Sequence, residues 1–227
     1  MKLSNETRDV LKNFAAINSN IVFNGGNEIK TMSEAKNILV SATVSETFPD
    51  NLLGIYDLNE FLGVLSMFDD PELAFSQDFN SVKIVQDNRS VNYYFSDPSI
   101  LTTPSKAITM PDPEVTVTLT VDDIAQMRKA ASALGVSDVV ITANPGDPKI
   151  TVRVTDVEDA TANNFELAVD GPAATEPYRF IFNIANFKIM QGDYNVQISS
   201  KLISQWTHSS SELTYFIALE KSSNYGG

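Results

Sequence analysis

The chain has 227 residues, a formal net charge of −13 and no cysteine. The missing cysteines exclude disulfides, zinc–thiolate sites and cysteine nucleophiles, and so acidic a balance, if spread evenly, argues against binding nucleic acid. With 43% hydrophobic and 20% charged residues the composition is that of a globular protein; no apolar leader opens it and no run is long enough to span a bilayer, so a soluble intracellular protein is expected.

Residues 5–17 read as an amphipathic helix. At about 100° per residue, Ile17, Val10, Phe14 and Leu11 share one arc, and Arg8 and Lys12 fall outside it. Short apolar runs bounded by turn residues follow at 20–23 (before Asn24-Gly25-Gly26), 82–85 and 91–95, which are strand and hairpin signals. Between the first two, residues 58–67 read as a helix carrying Glu60 and no base. Residues 96–115 contain Pro98, Pro104, Pro111 and Pro113, which favour an extended, non-helical course. They also contain Ile100, Leu101, Ile108 and Met110, more apolar bulk than a plain linker needs. Such a segment either leaves a groove beside it on the surface or packs against the flanking cores.

Strand signals resume at 115–119. Residues 121–134 read as a second long helix, with Thr120 as N-cap and Asp123 closing a capping box. Ile124, Met127, Ala130, Ala131 and Leu134 share one arc of it, and Arg128, Lys129 and Ser132 the opposite one. Strands are expected at 139–142 (before Asn144-Pro145-Gly146), 150–154, 165–169 and 213–219, and a helix carrying Lys188 at 184–190. Residues 205–211, which hold Trp206 and the single histidine, His208, read as a hairpin loop with Trp206 exposed.

The chain also repeats itself weakly. Leu11-Lys12-Asn13-Phe14-Ala15 and Ile21-Val22-Phe23 correspond to Met127-Arg128-Lys129-Ala130-Ala131 and Val139-Val140-Ile141. Ile55-Tyr56-Asp57-Leu58-Asn59-Glu60-Phe61 corresponds to Ile181-Phe182-Asn183-Ile184-Ala185-Asn186-Phe187, and Val91-Asn92-Tyr93-Tyr94-Phe95 to Leu213-Thr214-Tyr215-Phe216-Ile217. Order is kept while spacing drifts, as in two diverged copies of one α+β unit with loop insertions. The expected division is 1–96, a linker at 97–114, and 115–227. In each copy the first helix offers a basic, nearly acid-free middle, while most carboxylates fall in strands and loops. A solvated helix face and an anion-facing surface are both compatible with that asymmetry.

Catalytic and metal sites are not expected. A Ser-His-Asp triad would have to use His208, and no candidate Ser or Asp supports it. Asn24-Gly25-Gly26 lacks the phosphate-loop pattern. Asp156-Val157-Glu158-Asp159 lacks calcium-loop spacing, and Asp69-Asp70-Pro71-Glu72 reads as a polar turn.

These segments resemble the DNA polymerase sliding clamps, specifically the processivity factors of T-even-type bacteriophages. The resemblance covers essentially the whole chain and is strongest in Met1-Lys2-Leu3-Ser4, in residues 56–66 and in residues 180–190. It departs at 28–49 and 142–164. It implies the DNA-clamp fold: two similar domains, each with β-sheets outside and two helices inside, three copies forming a six-domain ring around duplex DNA. It also implies a non-enzymatic protein without cofactor, in the cytoplasm of an infected bacterium. Its partners would be DNA held without sequence preference, a DNA polymerase, an ATP-dependent clamp loader and, in late transcription, transcription factors and RNA polymerase. On that reading Arg8, Lys12, Arg128, Lys129 and Lys188 face DNA, and Leu101 and Ile108 line a pocket for the polymerase tail. Val91, Tyr93 and Phe95 of one subunit then meet Phe165, Leu167 and Val169 of the next. The competing expectations are a two-domain β-rich structural protein of a phage and an enzyme using Asp69 or Asp70.

Overall fold

The computed structural model describes residues 1–104 and 108–227. The chain divides into two compact units, residues 1–107 and 108–227. The first runs α1 (Asn5–Ile17), β1 (Ile21–Phe23), β2 (Gly26–Met32), β3 (Ile38–Phe48), β4 (Leu53–Ile55), α2 (Leu58–Leu65), β5 (Glu72–Phe75), β6 (Ser81–Gln86) and β7 (Arg89–Tyr94). The second runs β8 (Val115–Leu119), α3 (Val121–Leu134), β9 (Asp138–Ala143), β10 (Ile150–Thr155), β11 (Phe165–Val169) and β12 (Tyr178–Asn183). A 3₁₀ turn (Ile184–Asn186) then leads to β13 (Tyr194–Ser199), β14 (Ile203–His208), β15 (Leu213–Ala218) and β16 (Asn224–Tyr225).

A helix, four strands, a helical turn and three strands thus occur in the same order twice. The correspondence extends to single hydrogen bonds. The Leu58 N–H donates to the Ser19 carbonyl at 2.7 Å, and the Ile184 N–H to the Ser137 carbonyl at 2.8 Å. After the last strand, the Ser96 N–H donates to the Gly54 carbonyl and the Glu220 N–H to the Ile181 carbonyl, both at 2.8 Å. Asp57 and Asn183 each cap the helical turn that follows with a side-chain oxygen. Bonds of this kind at matched positions are what a duplicated unit predicts, because they depend on geometry rather than on side-chain identity.

In the first unit β1 pairs with β4, β2 with β3, and β5, β6 and β7 form an antiparallel sheet in that order. The second unit has a five-stranded sheet ordered β11-β10-β9-β12-β16, and β15, β14, β13 and β8 are hydrogen-bonded in that order. Alternation sends Val139, Ile141, Val152, Val154, Phe180 and Phe182 to the buried face. The turn residues behave as their composition requires: Gly135 ends α3 at φ 69°, a left-handed conformation that only glycine adopts freely.

The α1 and α3 boundaries are those expected, including the Thr120–Asp123 capping box. On α1 the buried stripe is Thr7, Leu11, Phe14 and Ile17, and Val10 is only half-buried. Three other expectations change. The helix expected at 184–190 is one 3₁₀ turn, because the Phe187 ring is drawn into the core against Trp206 at 4.8 Å. The backbone beyond it finds partners outside the helix, the Met190 N–H donating to the Tyr215 hydroxyl at 3.1 Å. Residues 203–208 form β14 rather than a loop, and Trp206 is fully buried among Phe182, Phe187 and Tyr194, with its Nε1–H donating to the Ser204 hydroxyl at 2.9 Å. The proline-rich segment is not wholly extended: Pro98–Ile100 is a 3₁₀ turn with Asp97 as N-cap and proline in its first turn, where a missing N–H costs nothing.

Candidate nucleic-acid and subunit interfaces

Glu46 on β3 accepts the Ser4 N–H and the Thr7 hydroxyl at the N-terminus of α1. Burial raises its pKa, but the hydrogen bonds from Ser4 and Thr7 outweigh burial and hold the carboxyl below its ordinary value. At the N-terminus of α3, Asp193 accepts the Val121 N–H at 2.7 Å. Each long helix is therefore fixed at its positive end by a carboxylate from a distant segment.

The five cations separate into two kinds. Lys12, Lys129 and Lys188 are exposed. Arg8 and Arg128 are half-buried and hold backbone carbonyls: Arg8 reaches the Asp69 carbonyl at 3.4 Å, and Arg128 the Ile189 carbonyl at 3.1 Å and that of Phe187. Burial lowers the Arg128 pKa, with Tyr194 and Tyr215 opposing it. Nor is the α1 surface nearly acid-free. Asp9 lies 2.8 Å from the Lys12 ammonium, and Glu6 is exposed on the same helix. An (i, i+3) pair so exposed contributes little to stability, but it reduces the local positive field.

β7 is hydrogen-bonded to β6 alone and β11 to β10 alone among the described residues, so each is an edge strand with one unpaired side. Val91, Tyr93 and Phe95 are half-buried, and Tyr93 packs edge-on to Phe61 at 5.1 Å. Burial, then Glu60 and Asp57, push the Tyr93 pKa up to about 12. On β11, Phe165 and Leu167 are half-buried and Val169 is buried. A groove of about 400 Å³ lined by Lys129, Ala130, Ala133, Leu134 and Phe165 runs between α3 and that edge. In the linker, Leu101 is buried against Gly54 in the first unit, and Ile108 is 39% exposed.

Sequence reasoning missed the aromatic stack of Tyr178, Phe180 and Tyr225 in the second unit, with centroid separations of 5.4, 6.5 and 6.5 Å. The alternation Tyr178, Phe180, Phe182 was the available signal. The remaining polar clusters are occupied structurally. The Asp69 and Asp70 N–H groups donate to Gln86 Oε1 at 3.0 and 3.2 Å, and Lys2 pairs with Asp70. The Asp156 and Asp159 carboxylates accept N–H groups two residues on, at 2.9 and 2.8 Å. His208 Nδ1 accepts the Ser210 N–H at 3.2 Å, and its ring lies edge-on to Tyr194.

Residues 116–221 match the family model described as gp45 sliding clamp, C terminal. A sliding clamp of Escherichia phage RB69 is 32% identical over 232 residues, covering 99% of this chain and 99% of the relative. The chain belongs to the sliding-clamp family. The sliding clamp of Enterobacteria phage T4 is 33% identical over 88% of each chain, and that of Vibrio phage KVP40 is 30% identical over 97% of this chain and 99% of the relative. The DNA-clamp fold is shared with solved structures of low identity. Proliferating Cellular Nuclear Antigen from Entamoeba histolytica superposes with a TM-score of 0.69 at 14% identity, covering 94% of each chain. A. fulgidus PCNA, bound to the C-terminal region of FEN-1, gives 0.67 at 12% identity and 96% coverage of each. In this sliding clamp β7 and β11 each keep one side without a strand partner among the described residues.

Proposed function

We propose that three copies of the chain close head to tail into a ring of six similar domains around duplex DNA and tether a DNA polymerase to its template, with no catalysis of their own. The carrying observation is the near full-length similarity to phage sliding clamps, on a chain whose unit is repeated twice. Each contact joins unlike surfaces, β7 of one copy meeting β11 of the next, so closure depends on the rotation between copies. On this reading Val91, Tyr93 and Phe95 lie beside Phe165, Leu167 and Val169.

Lys12, Lys129 and Lys188 reach a DNA backbone that carries one charge per ~1.7 Å, and Arg8 and Arg128 add their field while holding the loops behind them. Flexible ammonium groups on phosphates confer no base readout, so the ring slides. Retention comes from topology. Ile108 of the 97–114 linker is the proposed contact for an apolar polymerase tail; Leu101, expected to share that role, is buried against Gly54 and anchors the segment instead. An ATP-dependent loader opens the ring in the cytoplasm of the infected bacterium, and late-transcription factors with RNA polymerase engage the same loaded ring.

The test is primer extension by the cognate polymerase on a primed circle, with loader and ATP. Product length should rise with the chain present, and loaded protein should leave when the circle is linearised. Equal retention on linear DNA, or no lengthening of products, refutes the reading.

A further inference from the structure

Leu53 and Ile55 of β4 are buried, Gly54 between them turns to the opposite face, and the exposed Leu52 and Tyr56 flank the strand at its two ends. At Gly54 that face is covered. A Cβ there would lie 2.5 Å from the Ser96 carbonyl oxygen and 2.9 Å from Leu101 Cδ1, so the 96–101 segment rests directly on the strand. On either side of this seat the surface is bare. Leu52 is 62% exposed, Tyr56 63%, and Ile100, on the segment itself, 67%. Three of the six strongly exposed large apolar side chains among the described residues therefore gather around one strand and the segment that crosses it.

The fold does not require this apolar character. In the strand pairings Gly54 lies opposite Val22 and Ile181 opposite Val140, so the two positions match in register, one residue off the sequence correspondence, and each accepts the N–H that follows its unit's last strand. Two residues earlier, the second unit carries Arg179 where the first carries Leu52. Leu52 is exposed and so is not held as leucine by packing, and exposed apolar clusters of this kind mark interaction surfaces.

The rim is acidic. Asp50 precedes Leu52, Asp57 follows Tyr56, and Asp97 precedes the Pro98–Ile100 turn. Asp57 is held by the Asn59 and Glu60 N–H groups, and Asp97 by that of Ser99 at 2.9 Å. Residues 49–60 and 90–104 contain no Lys or Arg. We propose that this patch docks a cationic peptide segment of a partner protein, whose apolar anchors cover Leu52, Tyr56 and Ile100 and whose Lys or Arg side chains meet the three carboxylates. Alternating apolar and basic residues fit best, since Leu52 and Tyr56 are spaced like alternate positions along a strand.

The full chain is titrated with three labelled octapeptides of alternating Leu–Lys, Leu–Glu and Ser–Lys, read by fluorescence anisotropy and by backbone amide shifts. Only Leu–Lys should bind, with shifts confined to residues 52–57 and 97–101. The exposed-site double variant Leu52→Ser/Ile100→Ser should weaken it at least ~10-fold. Asp50→Asn/Asp97→Asn should weaken it ~3- to 10-fold at low salt, and less at high salt. Asp78→Asn/Asp159→Asn, the same charge change elsewhere, should alter it less than ~2-fold. Equal binding of Leu–Glu, unchanged affinity of Leu52→Ser/Ile100→Ser, or an equal effect of the control pair overturns the proposal. A smaller assembly of Leu52→Ser/Ile100→Ser in sedimentation velocity also overturns it, since the occupant is then a second copy.

Discussion

Arg128→Met keeps the aliphatic stem and removes the guanidinium that holds the Phe187 and Ile189 carbonyls. Phe187 and Ile189 are 3% and 5% exposed, so water replaces those bonds poorly. Leaving a buried carbonyl unpaired costs about 1–3 kcal/mol. Because Arg128 itself is half-buried, we expect about 2–4 kcal/mol in total rather than the full sum. Trp206 is the only tryptophan, fully buried, with Phe187 packed on it at 4.8 Å, so its fluorescence reports unfolding of the region concerned. At a urea slope of about 2 kcal/mol/M the midpoint should fall by about 1–2 M. Lys129→Met, one residue along on the exposed face, is the control and should change stability by less than about 0.5 kcal/mol. If the two variants unfold at the same urea concentration, Arg128 does not hold the segment after the 3₁₀ turn, and its guanidinium is better read as a plain surface cation.

The other predictions address the helix ends, the linker seat and the strand edges. Glu46→Gln should cost about 1 kcal/mol at neutral pH. Its folded pKa is depressed below the ordinary 4.5, so the wild-type advantage is present above that value and lost as pH falls through the folded pKa; chemical denaturation from pH 7 to 3 measures it. Gly54→Ala places a methyl against the Ser96 carbonyl and Leu101, and should lower stability by about 1–3 kcal/mol in thermal unfolding, most of which Leu101→Ala fails to recover because Ser96 is backbone. Tyr94→Asp, on the β7 edge where Tyr94 is 74% exposed, should convert the assembly to monomers in sedimentation without changing the circular dichroism spectrum; an unchanged assembly removes β7 from the subunit contact.

Periodicity and capping chemistry determined α1, α3 and eight of the sixteen strands among the described residues, because those signals are local: a 3.6-residue apolar stripe, a Thr120–Asp123 capping box, an alternation of two. The repeat was legible for a related reason, since two copies of one unit keep the order of their elements even where side chains diverge. Residues 28–49 showed no such signal, and the long β3 there was missed. What only the tertiary structure decided lies where one group has two possible partners. Residues 184–190 follow a helical pattern, yet burial of Phe187 and the Met190–Tyr215 bond hold them to a single turn. Trp206 stands beside polar loop residues, yet β14 turns it inward. Arg8 and Arg128 look in sequence like Lys12 and Lys129, but the first pair holds carbonyls and the second is exposed. A sequence states which side chains are cationic; which of them are left for an outside partner depends on carbonyls brought close from elsewhere in the chain.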